Sequence, residues 1–352
     1  MKFDFCIGNP PYQEEMEGTS DSPIYNHFMD AAFEIAEKVE LITPARFLFD
    51  AGKTPKAWNK KMLEDVHFTV LFYEQNSHQV FSNTEIKGGV AISYRDSLRN
   101  FGAMEHFVPD SQMRSVLSKV RADKSFKSLS SIVYSTEHFK LSGKLYQDHP
   151  EFLTMTIVKN GKKVPLISKG HENDLTSNIL DKNSSLFYKD KPNDGKEYIR
   201  ICGRKAGKRV SLFFRADYME PNKGLLGYKV VLPESNNEGK FGETLIDPFV
   251  AEKDIATTQT FITMGFFDDK SQADALLKYI CCKFARALLG TLKITQHNKR
   301  ETWRNVPLQN FSPDSDIDWS LSIKAIDQQL YKKYGLSNEE IAFIETHVKE
   351  MA

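Results

Sequence analysis

The four cysteines among 352 residues, Cys6, Cys202, Cys281 and Cys282, make no C-x-x-C pair, so neither a zinc ribbon nor a disulfide framework is written into this chain. It has no run of about 18 apolar residues and no leader pattern, so nothing predicts a membrane span or an export signal. The nine histidines are scattered without a close pair suited to a metal, and no metal is expected. Net charge is zero, with 47 basic against 47 acidic residues, so affinity for a polyanion has to come from local patches. No internal repeat is evident. A soluble cytoplasmic protein of two globular domains, with no membrane partner, is the expectation these absences leave.

What is present is concentrated at the start. The apolar run Phe3-Asp4-Phe5-Cys6-Ile7-Gly8 ends in Asn9-Pro10-Pro11-Tyr12. With average residue usage this tetrapeptide occurs by chance in about one chain in 1000 of this length, so accident explains it poorly. An exocyclic amine on a planar base is a poor nucleophile because its lone pair is delocalised into the ring. Accepting hydrogen bonds from its N–H groups makes the nitrogen more pyramidal. The Asn9 side-chain oxygen can accept one such bond and the Pro10 carbonyl the other, on a backbone whose direction the prolines fix. Tyr12 supplies a flat face for a base extruded from a duplex, worth roughly 1–3 kcal/mol per base. The task is positioning and electrostatics, with no acid–base pair needed beforehand. Asn9, Pro10, Pro11 and Tyr12 are therefore the candidate catalytic residues, and the pattern points to methyl transfer to adenine. A plain proline-rich strand exit with Tyr12 in the core is the competing reading.

Phe3 to Gln13 resembles motif IV of the adenine-specific DNA methyltransferases of type II restriction-modification systems, in the class whose target-recognition domain follows the catalytic one. The resemblance continues in order. Ile24-Tyr25-Asn26-His27-Phe28-Met29-Asp30-Ala31-Ala32 is similar to the helix after motif IV. Val39-Glu40-Leu41-Ile42-Thr43-Pro44-Ala45-Arg46-Phe47-Leu48 is similar to the next strand and its Pro-Ala turn. Val80-Phe81-Ser82-Asn83 through Val90-Ala91-Ile92-Ser93-Tyr94 is similar to motif VIII. The resemblance implies that Phe81, or less well Tyr94, closes on the second face of the base. It also implies that Phe28, with Asn9, walls the pocket of the donor S-adenosylmethionine. Phe28 fits core packing equally, because Tyr25, Phe28, Met29, Ala32 and Ala36 recur at helical spacing.

Chains of that class normally open with a strand, a glycine-rich turn and an acidic strand end that hold the donor. Here the motif begins at residue 3. The nearest glycine-rich basic stretch, Gly203 to Arg209, is one residue short of a phosphate loop and lacks its Ser or Thr, so it reads as a basic loop. The donor-binding part is thus expected to be missing or encoded separately, with an N-terminal methyltransferase or restriction polypeptide as partner and a long strand edge exposed without it.

The expected fold is α/β: a partial Rossmann-like methyltransferase sheet over residues 1–106, an α+β target-recognition domain over 107–312 and a helical tail over 313–352. A helix is expected from Pro23 to Lys38 with Ser22 as its cap, and strands near 40–42, 68–73 and 90–94, the last two antiparallel with Gly88-Gly89 turning the chain. A polar helical stretch from Ser111 to Ser128 follows. Later strands are expected at 198–201, 210–214 and 228–232. One helix is expected from Ser271 to Leu289, stopped by Gly290, then two tail helices split at Gly335 with a capping box between Ser337 and Glu340.

Duplex DNA is the expected partner. Lys196, Arg200, Arg204, Lys205, Lys208, Arg209 and Arg215 carry few acids among them and suit phosphates, while Gln296, Asn298, Lys299 and Arg300 carry the paired hydrogen-bonding groups that distinguish bases. A solvated hairpin and a capped helix exit would use similar residues. Two further functions compete: a non-catalytic DNA-binding fragment, and methylation of glutamine side chains in proteins, against which the long segment 107–310 weighs. Glu85-Ile86-Lys87 precedes Pro109-Asp110, the wrong order for a restriction nuclease centre.

Overall fold

Alternation of Phe3, Phe5 and Ile7 with Asp4 and Cys6 makes an extended strand, and in the computed structural model Phe3–Gly8 form β1. The structure describes residues 3–14, 22–86, 88–104, 106–159, 162–165, 169–293 and 295–351. Most of the Glu- and Ser-rich loop expected after Tyr12 lies outside them. The chain divides into two compact units, Met1–Asp110 and Ser111–Ala352.

In the first unit β1 is followed by a small hairpin of β2 (Gln13–Glu14) and β3 (Ser22–Pro23), then α1 (Tyr25–Ile35) and β4 (Ala36–Pro44). The helix is shorter than the expected Pro23 to Lys38 at both ends. Ser22 and Pro23 pair with Glu14 and Gln13, so Ser22 caps nothing, and Ile24 holds the cap position without a side-chain hydrogen bond. At the other end Ala36 to Lys38 have become strand, because β4 is flanked on both sides and its ladder overrides local helical periodicity. After β4 come α2 (Lys56–Glu64), β5 (Phe68–Glu74) and β6 (Val90–Asp96).

These strands form one sheet in the order β1-β4-β6-β5. β1 and β4 are parallel, while β6 runs antiparallel to both β4 and β5. Hence β1, β4 and β5 all point one way, with their C-terminal ends along one edge. Tyr25, Phe47, Trp58 and Phe68 contact one another edge-on or tilted at the centre of the core. Trp58 donates its indole N–H to Asp30 at 3.0 Å, as a buried indole should. Among the described residues β1 is an edge strand, and its Phe3, Phe5 and Ile7 remain 64%, 58% and 73% exposed. The Lys38 ammonium stands 5.1 Å from the Phe5 ring centre.

The second unit holds α3 (Ser111–Ala122), β7 (Val133–Tyr134), α4 (Gly143–Asp148), β8 (Thr156–Lys159), β9 (Lys162–Pro165) and α5 (Ile179–Lys182). Then come β10 (Tyr198–Lys205), β11 (Lys208–Arg215), β12 (Tyr228–Pro233), β13 (Phe249–Ala251), β14 (Ile255–Thr257) and β15 (Phe261–Phe267). Its sheets are ordered β11-β10-β14 and β13-β12-β15-β7, with β8 and β9 as a separate hairpin. The molecule is therefore mixed α/β with several sheets.

The expected helix from Ser271 to Leu289 is two helices, α6 (Lys270–Cys281) and α7 (Lys283–Gly290), broken where Cys282 is extended at ψ 145°. The Asp327 carboxylate accepts the N–H groups of Lys283 and Phe284 at 3.0 and 2.9 Å and so starts α7 afresh. That cap comes from α8 (Ile323–Lys333), far along the chain, which is why local periodicity missed the break. Gly290 is the last residue of α7 rather than the residue beyond it. α9 (Asn338–His347) opens with the reciprocal Ser337 and Glu340 capping box.

One contact fixes how the first sheet closes. Gly89, at φ 81°, donates no side chain where a Cβ would fall 2.3 Å from the Glu74 carbonyl oxygen, and its own carbonyl accepts from Ala45 N–H at 3.0 Å. Gly89→Ala is expected to lower stability by about 1–3 kcal/mol, read as a shift of the urea unfolding midpoint. An unchanged midpoint would show that the close approach is dispensable.

Candidate functional site

The strand ends decide what meets. Asn9 follows Gly8, which sits opposite Leu41 of β4, and Pro44 at the end of β4 sits opposite Val90 of β6. Val90 in turn faces Glu74, the last residue of β5. The chain after β1, the turn after β4 and the β5–β6 loop therefore converge on one edge of the sheet. In open α/β sheets this carboxyl edge is where ligands bind.

A hollow of about 740 Å³ lies there. Asn9 to Gln13 form one wall, with Tyr25 and Pro44 behind. Arg46, Gly52 and Lys53 from the turn after β4 and Thr84 to Ile86 from the β5–β6 loop complete it. Asn9 and Pro11 are exposed, and Pro10 and Tyr12 are half-buried. The carboxamide thus faces an open space rather than a sealed interior. The β2–β3 hairpin holds this segment in place: Ile24 N–H donates to the Tyr12 carbonyl at 3.2 Å, immediately before Gln13 pairs with Pro23.

Both phenols of the hollow are held neutral. Burial pushes the Tyr12 hydroxyl above its ordinary range against the opposing influence of the Asn9 side chain. That hydroxyl is shielded from solvent and has no partner of hydrogen-bonding geometry among the described residues, so Asn9 acts on it as a neighbour and leaves it unsatisfied. Burial lifts Tyr25 to about 12, opposed by its bond with Thr54 and the charge of Arg46. Glu85 is the acid that lines the hollow among the described residues. The arrangement offers acceptors, an aromatic face and cations. It suits gripping a flat, polar-edged, anionic-tailed molecule more than transferring protons.

The remaining expected residues are placed as follows. Phe81 is half-buried in the β5–β6 loop, its N–H bonded to the Ser77 carbonyl at 2.7 Å, and it is not among the residues lining the hollow. Its loop reaches the hollow through Thr84 to Ile86 instead. Tyr94 pairs with Glu40 and Thr69, four positions along β6 from Val90, which at strand rise is roughly 13 Å from the site edge. Its hydroxyl bonds to Asp96, and its ring meets Phe101. Phe28 is 44% exposed on α1, outside the lining of the hollow. Among the described residues no group of three His, Cys, Asp or Glu is placed to hold a metal ion, and no helix is long and apolar enough to cross a membrane.

In the second unit the basic stretch is a hairpin tip. Ala206 and Gly207, at φ 47° and 77°, make a two-residue turn between β10 and β11. Arg204 faces Arg209 and Lys205 faces Lys208 directly across the ladder, an arrangement of like charges that costs stability. Arg204, Lys208 and Arg209 are exposed, and Arg200 and Lys205 partly so; none of the five forms an ion pair among the described residues. Arg209 lies 4.5 Å over the Phe249 ring and donates to the Asp247 carbonyl. Arg215 differs: it is only 17% exposed and is committed to Asp148 and Asp217, which hold its pKa above the ordinary value, so it is a structural ion pair rather than part of the free patch. Gln296, Lys299 and Arg300 are exposed, with Arg300 donating to the Ser130 carbonyl. Asn298 is fully buried and donates to the Pro233 carbonyl at 3.0 Å, so its amide edge is turned into the fold and is not offered to a base.

A smaller hollow, about 160 Å³, lies in the same unit. Its polar groups satisfy one another: Tyr146 donates to the Glu172 carbonyl, and Asp174 takes bonds from Lys140, His171 and Gln259. It reads as a packing defect over a satisfied network.

With this geometry in place, the comparisons with known proteins bear on the first unit. Residues 1–81 match the Eco57I restriction-modification methylase family. No curated protein matches the chain. Among solved structures it is similar to the type IIG restriction endonuclease BpuSI, at 11% identity and TM-score 0.33, covering 94% of this chain and 48% of that one. It is also similar to the type IIL restriction-modification enzyme MmeI in complex with DNA, at 11% identity and TM-score 0.31, covering 98% and 56%. The chain spans about half the length of these structures.

Sequence reasoning did not single out Arg46, Lys53 or Thr84 to Ile86 as site residues. Position after a strand end on the shared edge was the available signal, once the strand order was known. Tyr12→Phe removes a hydroxyl with no hydrogen-bonding partner among the described residues and is expected to raise stability by up to about 1 kcal/mol. Urea unfolding checks this, and a clear loss of stability would reveal a partner for that oxygen.

Proposed function

We propose that the chain is the base-gripping and DNA-recognising portion of an adenine-N6 DNA methyltransferase from a restriction-modification system, acting in the cytoplasm. The observation that carries the reading is the open hollow at the carboxyl edge into which Asn9, Pro10 and Tyr12 face together. The match of residues 1–81 to a restriction-modification methylase family supports it. So does the sheet, in which three strands of one direction with an antiparallel strand inserted are compatible with part of a doubly wound, Rossmann-like layout.

On this reading the Asn9 side-chain oxygen and the Pro10 carbonyl accept the two N–H bonds of an extruded adenine. Pro11 stiffens the corner, and the Tyr12 ring lies against the base. Phe81, carried by the β5–β6 loop, is the candidate for the opposite face. When bound, S-adenosylmethionine supplies a sulfonium methyl that the adenine amine takes, the sulfur leaving as a thioether and the surplus proton passing to water. Phe28 fits one wall of that donor, since an aromatic ring left 44% exposed on α1 has contact surface to spare. An N-terminal methyltransferase or restriction polypeptide is the partner this reading proposes. Duplex DNA is engaged by Arg200, Arg204, Lys205, Lys208 and Arg209, with Gln296, Lys299 and Arg300 as candidates for base edges.

Asn9→Ala, assayed as labelled methyl incorporation into plasmid DNA by this protein with a donor-binding methyltransferase partner, is expected to lose about 10²–10³-fold or more in turnover, with folding and DNA affinity retained. Full turnover by the variant would defeat the assigned role. Replacing Arg204 and Arg209 together by alanine relieves a like-charge pair while removing phosphate contacts. Thermal stability is therefore expected to hold or rise, while the salt dependence of DNA binding flattens by about two counterions. A slope identical to wild type would remove the hairpin from the interface.

A further inference from the structure

Arg46 stands in the same hollow as Asn9, and the fold has prepared its place. The residue lies in the 3-10 turn that follows β4, and its side chain is exposed. Two glycines from different loops flank its stem. A Cβ on Gly88 would fall 2.5 Å from Arg46 Cγ, and one on Gly52 would fall 3.3 Å from Arg46 Cβ. Both glycines adopt left-handed backbone, at φ 87° and 92°. The stem therefore runs through a slot that a side chain at Gly88 would close and one at Gly52 would tighten. At its end the guanidinium makes no hydrogen bond and no ion pair among the described residues, although its charge reaches the Tyr25 phenol. Ordering a long side chain costs rotamer entropy, which a partner normally offsets. Lys53 also lines the hollow, and Glu85 is its acid among the described residues.

We infer that Arg46 binds a phosphodiester of the strand that carries the extruded nucleotide, and thereby sets the depth at which the base meets Asn9. This rests on the adenine reading of the hollow and adds a second recognition element to it. A nucleotide rotated out of a duplex takes its own backbone with it, so an anion must accompany the base to the mouth of the pocket. The planar guanidinium fork matches two phosphate oxygens, while a lysine at the same place would offer a point charge. A guanine edge would accept the same fork, and the test separates the two.

The experiment uses the whole chain and fluorescence anisotropy across a salt series. Its probes are a labelled oligodeoxyadenylate of about a dozen nucleotides, the same oligomer with uncharged methylphosphonate linkages, and an abasic oligomer. Arg46→Ala is expected to bind the charged oligomer about tenfold more weakly, with a salt slope lower by about 0.7. Arg46→Lys should restore the slope. Wild type and Arg46→Ala should bind the methylphosphonate oligomer alike. Equal affinity and slope for wild type and Arg46→Ala on the charged probe would overturn the inference, as would wild-type binding indifferent to salt. A deficit of Arg46→Ala that persists on the uncharged probe would overturn the phosphate assignment in favour of a base edge. Asn9→Ala, run in parallel, should keep the slope and lose the preference for adenine over the abasic probe. If it keeps that preference while Arg46→Ala still flattens the slope, the adenine reading fails and the anion site stands.

Discussion

The insertion of β6 between β4 and β5 is the constraint on which the candidate site depends. Because β6 runs against both neighbours, the chain entering it from the β5–β6 loop arrives at the edge where β4 ends, with Pro44 opposite Val90 and Ala45 bonded to Gly89. The same edge receives the end of β1, because β1 is parallel to β4 and Gly8 sits opposite Leu41. Three segments remote in sequence are thereby brought around one hollow. Gly89 is the tightest point of this closure, its α-carbon lying against the Glu74 backbone where no side chain fits. Its neighbour Gly88 leaves room for the Arg46 stem, so the glycine pair both closes the sheet and shapes the pocket wall.

Electrostatics follow a consistent division. Cations that serve the fold are spent: Arg215 on Asp148 and Asp217, Lys293 on Glu243, Lys283 on Glu345. Among the described residues the cations of the β10–β11 tip lack acidic partners, and they face one another across the ladder, which costs stability in the isolated protein. A chain of zero net charge can still present a strong local field when its acids are sequestered in internal pairs and some of its bases are left unpaired. Arg46 belongs with the unspent group.

Much of this was readable from residue order. The alternation of β1, the Asn-Pro-Pro-Tyr corner, the antiparallel pairing of β5 with β6 and the Ser337 capping box all follow from local chemistry with a short reach. The failures share a cause. Ser22 has the residue type of a helix cap, but it is claimed by a strand pair with Glu14. The helix through Cys282 is broken by a carboxylate 45 positions away, at Asp327. Asn298 looked like a base-reading amide, and a carbonyl at Pro233 draws it inward. In each case a distant hydrogen-bonding partner outbid the local preference.

The sequence by itself determined which groups are chemically suited to hold a planar amine, since an amide next to two prolines and a phenol is a property of adjacent residues. It also determined where unpaired positive charge accumulates along the chain. Only the tertiary structure decided which of those groups share a space. Strand order set the separation between Asn9 and each aromatic of the later motif, placing Tyr94 far down β6 and the 84–86 segment beside the hollow. It also brought forward an arginine that no local pattern distinguishes, because its slot is formed between Gly52 of its own turn and Gly88 of the remote β5–β6 loop.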